Sequence, residues 1–171
     1  QAAAARFGKR TAFRMAGGAE RSYADVAVRT RRLCAALTAR GLRPGDRVAI
    51  LSKNRIECLE VLFASLAGFV PVPLNWRLAA HELGLVIGDC APAAIVADGT
   101  FRPVIDSMRA DLPRGTLLVA LEEARDAWLD YEGLIASSSA AGVSTPQHDP
   151  GRPACLIYTS GTTGRPKGCE R

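Results

Sequence analysis

Gly41-Leu-Arg-Pro-Gly-Asp-Arg-Val-Ala-Ile-Leu51 packs a helix stop, a tight turn and a buried strand into one short stretch. Gly41 closes the helical pattern that precedes it, and Pro44 and Gly45 stand where turns favour them. Val48-Ala-Ile-Leu51 is a fully apolar run of strand length. Upstream, Ser22-Tyr-Ala-Asp25 reads as a capping box that opens a helix. The buried stripe of that helix is Tyr23, Val26, Ala27, Thr30, Leu33, Cys34 and Leu37.

Downstream the same unit repeats. Ser52-Lys-Asn54 is a loop, and Ile56 to Ala67 is expected to be a helix with Ile56, Leu59, Leu62, Phe63 and Leu66 inward. Gly68 closes it at a C′ position. Phe69-Val-Pro-Val-Pro-Leu74 is a strand whose two prolines place it where some ladder bonds are absent. Ala79 to Cys90 is helical, Ala93 to Asp98 a strand, and Phe101 to Asp111 another helix. Thr116 to Leu121 is a strand, followed by a looser helix to about Ile135. Strands alternating with helices require crossover connections, so the fold class is α/β with parallel-sheet βα units. Periodicity supports that class and chooses no activity.

The remaining composition narrows the field. With 48% apolar and 23% charged residues over 171 positions, the chain is of globular type and long enough for one domain core. The longest apolar stretch, Val61 to Leu74, is broken by Ser65, Gly68 and two prolines, so no transmembrane segment is expected. The start, Gln1-Ala-Ala-Ala-Ala-Arg6, has neither a signal-type apolar core nor an initiator Met, so the sequence is expected to begin inside a longer chain or after processing. A net charge of +5 invites a nucleic-acid reading. The basic residues read as spread along the chain without aromatic stacking partners, so no nucleic acid is expected as a partner. Five cysteines, odd in number and without a Cys-x-x-Cys pair, argue against zinc and for a reducing, cytoplasmic location.

Residues 137–153 are small, polar and proline-rich, a linker that leads into Ala154-Cys-Leu-Ile-Tyr158, an apolar strand. His148, within it, is given no chemical role. The loop that follows, Ser160 to Gly168, has three glycines, which permit close backbone approach to a ligand. Consecutive N–H groups in such a turn converge on an anion. Thr159, Ser160, Thr162 and Thr163 add hydroxyl donors, and Lys167 adds a mobile positive charge. A plain surface turn has the same composition. A Walker A loop does not fit, because Arg165-Pro166 separates Gly164 from Lys167 and Gly168 stands where the metal-binding hydroxyl belongs.

Tyr158-Thr-Ser-Gly-Thr-Thr-Gly-Arg-Pro-Lys-Gly168 resembles the signature loop of the adenylate-forming (AMP-binding) superfamily. The likeness extends upstream in order, through Arg21-Ser-Tyr-Ala-Asp25, Gly41 to Leu51, Asn54, Glu57, Val70 to Leu78 and Glu82-Leu83. Pro73-Leu-Asn-Trp-Arg-Leu78 is most similar to the acid–CoA ligases of fatty or aryl acids, with peptide-synthetase adenylation domains as the alternative branch. Trp76 reads as a packing anchor of that loop.

The resemblance implies the N-terminal part of an adenylate-forming large domain. Its division is a βα portion at 1–136, the linker at 137–153, and a strand plus phosphate loop at 154–171. It implies ATP, Mg²⁺ and coenzyme A acting on a small carboxylic acid. Thr159, Ser160, Gly161, Thr162, Thr163, Gly164 and Lys167 would hold the β- and γ-phosphates, with Thr159 also beside the metal. The family's acid pocket, acidic metal ligand and distal lysine have no counterpart before Arg171, so a non-catalytic truncated product is the rival reading.

Overall fold

A computed structural model describes residues 2–140, 153–159 and 166–170. A short helix, α1 (Ala2–Phe7), precedes a hairpin of β1 (Thr11–Arg14) and β2 (Glu20–Ser22). The sequence pattern gave no sign of these. Helix α2 (Tyr23–Ala39) begins as its capping box dictates. The Ser22 hydroxyl accepts from the Asp25 N–H at 3.1 Å, and the Asp25 carboxylate accepts from the Ser22 N–H at 3.1 Å. Two otherwise orphaned donors are thereby satisfied.

Five parallel strands form the body: β3 (Arg47–Leu51), β4 (Val70–Pro73), β5 (Ala94–Ala97), β6 (Leu117–Ala120) and β7 (Leu129–Asp130). Their order is β4-β3-β5-β6-β7. The connecting helices are α3 (Ile56–Leu62), α4 (Ala80–Cys90) and α5 (Arg102–Ser107), with α6 (Tyr131–Ala136) after β7. The α/β expectation is met.

The pleat divides the core in two. Val48, Ile50, Ala94, Val96 and Val119 face a cluster with Leu33, Leu37 and Val61, between the sheet and helices α2, α3 and α6. Ala49, Leu51, Ile95, Ala97, Leu118 and Ala120 face the other side, with Leu83, Val86 and Ile87 of α4 and Ile105 of α5. Period-two alternation along each strand sends neighbours to opposite faces. Both faces are covered by helices, which is why these strands read as unbroken apolar runs.

One polar group crosses the first core. Glu60 is fully buried, and its carboxylate accepts from Arg29 Nε at 2.6 Å and from the Tyr131 hydroxyl at 2.8 Å. Arg29 also donates to Glu132 at 2.6 Å, so α2, α3 and α6 share one ionic knot. A buried charge is tolerable only with this level of pairing. Burial beside the Glu60 charge raises the Tyr131 phenol well above its ordinary range.

Several boundaries depart from the sequence reading. Helix α3 stops at Leu62, and Phe63–Ala67 winds more tightly as a 3₁₀ turn. Phe63 is therefore not inward; it is exposed and stands 6.3 Å from the Phe13 ring of the N-terminal hairpin. Leu59 and Leu62 are half-buried, and the Leu66 side chain lies outside the described residues. The helix expected after β6 is absent over residues 122–128; β7 and the short α6 take its place. Trp128 decides this, burying its ring against the second core while its indole N–H reaches Asp106 at 2.9 Å.

Candidate functional site

The run before the signature loop does form a strand, β8 (Leu156–Thr159). It does not join the parallel sheet. It pairs antiparallel with β9 (Lys167–Glu170), a strand the sequence reading did not foresee, in a separate two-stranded ladder. The rule that ligands gather at the carboxyl ends of parallel strands therefore does not locate this loop. At that end of the main sheet the side chains of Asp98, Ser52 and Trp76 have partners of their own. Asp98 is buried and accepts from Ser52 Oγ at 3.0 Å and from the Thr100 N–H at 2.9 Å. Beside it, Lys53 and Arg77 flank the Trp76 ring at 5.5 and 4.1 Å. Trp76 itself packs against the Phe101 ring, in keeping with its reading as an anchor.

The ladder register is Leu156↔Glu170, Ile157↔Cys169, Tyr158↔Gly168 and Thr159↔Lys167. Of the seven expected phosphate-loop residues, Thr159 and Lys167 are thus brought opposite each other at the loop's mouth, both exposed. Ser160, Gly161, Thr162, Thr163 and Gly164 lie outside the described residues, as do residues 141–152 of the expected linker with His148.

The hairpin meets the body where β8 lies beside β4, with Leu156 and Tyr158 packed on the second core, and Tyr158 adds a polar tie. Its hydroxyl donates to the Asp89 carboxylate in the last turn of α4, a short contact between residues 69 apart. Burial, then the Asp89 hydrogen bond, raise the Tyr158 phenol above its ordinary range. The end of α4 is fixed in turn. Ala91 caps it in the left-handed conformation at φ 40°, and Arg47, the first residue of β3, donates to the carbonyls of Cys90 at 2.7 Å and Ala91 at 3.0 Å. These are carbonyls that a helix end leaves without intrahelical partners. The sequence reading missed Asp89 and Arg47. A contact between residues so far apart leaves no periodic signal.

Among the described residues no group of three or more His, Cys, Asp or Glu could hold a metal ion. None of the described helices is long and apolar enough to cross a membrane. Cys34 and Cys90 are buried, which pushes their thiols up to about 12 and about 11; Cys58 and Cys155 are half-buried and Cys169 is exposed.

A five-stranded parallel sheet covered by helices on both faces, with a separate two-stranded hairpin, defines an α/β domain. The chain belongs to the AMP-binding enzyme family, which it matches over residues 1–171. It is 40% identical over 148 residues to the indoleacetate–CoA ligase of Aromatoleum aromaticum, a match covering 86% of this chain and 29% of that protein. A fatty acyl CoA synthetase from Mycobacterium tuberculosis superposes with a TM-score of 0.81 at 26% identity, covering 98% of this chain and 32% of that one. ATP-bound MatB from Rhodopseudomonas palustris gives 0.77 at 33% identity, covering 98% and 33%. The chain thus spans about a third or less of each of these proteins.

Proposed function

We propose that the chain forms part of the large domain of an AMP-forming acid–CoA ligase acting on a fatty or aryl acid. Residues 1–136 are its βα portion, 137–153 a linker, and 154–171 the strand and phosphate loop. The observation that carries this reading is the Thr159↔Lys167 register, which sets an exposed hydroxyl and an exposed ammonium across the mouth of the signature loop. The family match and the ligases among its relatives support the reaction class.

In that reaction the acid's carboxylate attacks the α-phosphate of ATP. The bond to the β-phosphate breaks, and pyrophosphate leaves. The thiol of coenzyme A then attacks the acyl carbonyl and displaces AMP. Lys167 and the hydroxyls of Thr159, Ser160, Thr162 and Thr163, with the N–H groups around Gly161 and Gly164, hold the β- and γ-phosphates as charge builds on them. Thr159 offers one hard oxygen. That oxygen would hold a Mg²⁺ delivered on the triphosphate, and the cation would supply charge neutralisation at the leaving group.

The test is single-turnover kinetics on the complete enzyme. Lys167→Ala is expected to slow adenylate formation by about 10²–10³-fold, the scale of one lost transition-state donor. Thioester formation from preformed adenylate should slow much less. Equal slowing of the two half-reactions would remove Lys167 from the pyrophosphate side.

A further inference from the structure

Tyr158 lies at the crossing of three structural facts. It precedes Thr159, it is the cross-strand partner of Gly168, and Gly168 follows Lys167. Its ring lies over Gly168 so closely that a Cβ there would come within 3.2 Å of Tyr158 Cζ and 3.0 Å of Leu156 Cδ1. Gly168 is thus small because the Tyr158 ring occupies the space a side chain would need. A cleft of about 830 Å³ opens beside the ring, lined in part by Arg47, Asp89, Leu156 and Lys167. Leu156 and Tyr158 pack against the second core, while on the cleft side the hairpin faces open space. What spans it is the hydrogen bond from the Tyr158 hydroxyl to Asp89.

Asp89 is an effective anchor because the helix end carrying it is tied to the sheet. Arg47 binds the carbonyls of Cys90 and Ala91, and the backbone N–H of Ala91 returns to the Ile87 carbonyl at 2.9 Å. A chain of hydrogen bonds runs from β3 through Arg47 to the end of α4, then through Asp89 to Tyr158, which precedes Thr159 and pairs across the ladder with Gly168, the neighbour of Lys167.

We propose that Tyr158, held by Asp89, is a positioning residue that sets where Thr159 and Lys167 stand when the triphosphate arrives, an inference that rests on the adenylation reading above. Side chains held to within a fraction of an ångström are what transition-state stabilisation demands, and a misplacement of about 1 Å can cost 10²-fold.

Tyr158→Phe keeps the ring over Gly168 and removes only the hydroxyl; Asp89→Leu keeps a side chain of similar size and removes the acceptor. In the complete enzyme each is expected to raise KM for ATP about 5–20-fold in pyrophosphate exchange, with a smaller change in KM for the acid. The double variant should be no worse than either single one, because both break the same bond. Additive effects, or an unchanged KM for ATP in either variant, overturn the proposal, as does a loss of thermal stability alone. Should the unmodified enzyme give no ATP-dependent exchange with any acid, the adenylation reading falls first. Hydrogen exchange at the β8 and β9 amides then decides the anchor itself. Several-fold faster exchange in both variants supports it, and unaltered protection sinks it.

Discussion

Glu60 is the residue whose partners the fold can least spare. With no solvent access, its carboxylate depends on Arg29 and Tyr131. Arg29→Ala leaves that charge buried without its cation and is expected to cost about 3–5 kcal/mol, read as a lowered urea midpoint. Tyr131→Phe removes one hydrogen bond to a charged acceptor and should cost about 1.5–3 kcal/mol. Asp25 makes a smaller contribution with a defined pH limit. Its hydrogen bonds to Ser22 hold its pKa below the ordinary carboxylate value of about 3.9. The stability it adds is therefore complete above pH 4 and is lost as pH falls through the lowered folded value. The destabilisation by Asp25→Asn should accordingly shrink as the pH of the urea titration falls below 4. The cysteines divide by access. A brief iodoacetamide pulse on the native chain at pH 8 should label Cys169 and spare Cys34 and Cys90, with peptide mass spectrometry as the readout.

At the scale of elements, the prolines of β4 show how far sequence carries. Val70 N–H bonds Asp46 at 2.9 Å and Leu74 N–H bonds Ile50 at 2.9 Å, so the even-numbered amides face β3. Pro71 and Pro73 fall between them, on the outer side of a strand whose one hydrogen-bonded partner among the described residues is β3, where a missing N–H breaks no ladder bond. Val72→Pro should break the ladder and prevent folding in a circular-dichroism assay, while Pro71→Val should fold. The edge placement was legible because proline chemistry is local. So were the α2 capping box and most β-strands, whose signals lie within a few residues. Helix α3's early end and the missing helix after β6 were not, since Phe63 and Trp128 answer to Phe13 and Asp106, distant in sequence. The proposed phosphate role of the signature loop rests on residue types, and Ser160 to Gly164 lie outside the described residues. The loop's mooring on α4 had no sequence trace. Ala91, a left-handed non-glycine cap, offers a gain: Ala91→Gly should stabilise the chain by about 0.5–1 kcal/mol in a denaturant titration.

At the scale of the molecule, the positive charge is less evenly spread than it first reads. Residues 1–32 hold eight Arg or Lys and two Asp or Glu, so the remainder is close to neutral. Arg6 and Arg10 also lie over the Phe7 ring at 5.0 and 5.4 Å, so aromatic partners are present there. For the 171-residue chain alone, no ATP- and acid-dependent pyrophosphate exchange above a no-enzyme control is expected. The sheet's separation of two apolar layers has a thermal consequence. Leu156 and Tyr158 lean on the layer shared with α4 and α5, while the Glu60 knot sits in the other. In calorimetry the hairpin should release before the knot melts, so a polyphosphate bound at its loop would lift the first endotherm and leave the second in place.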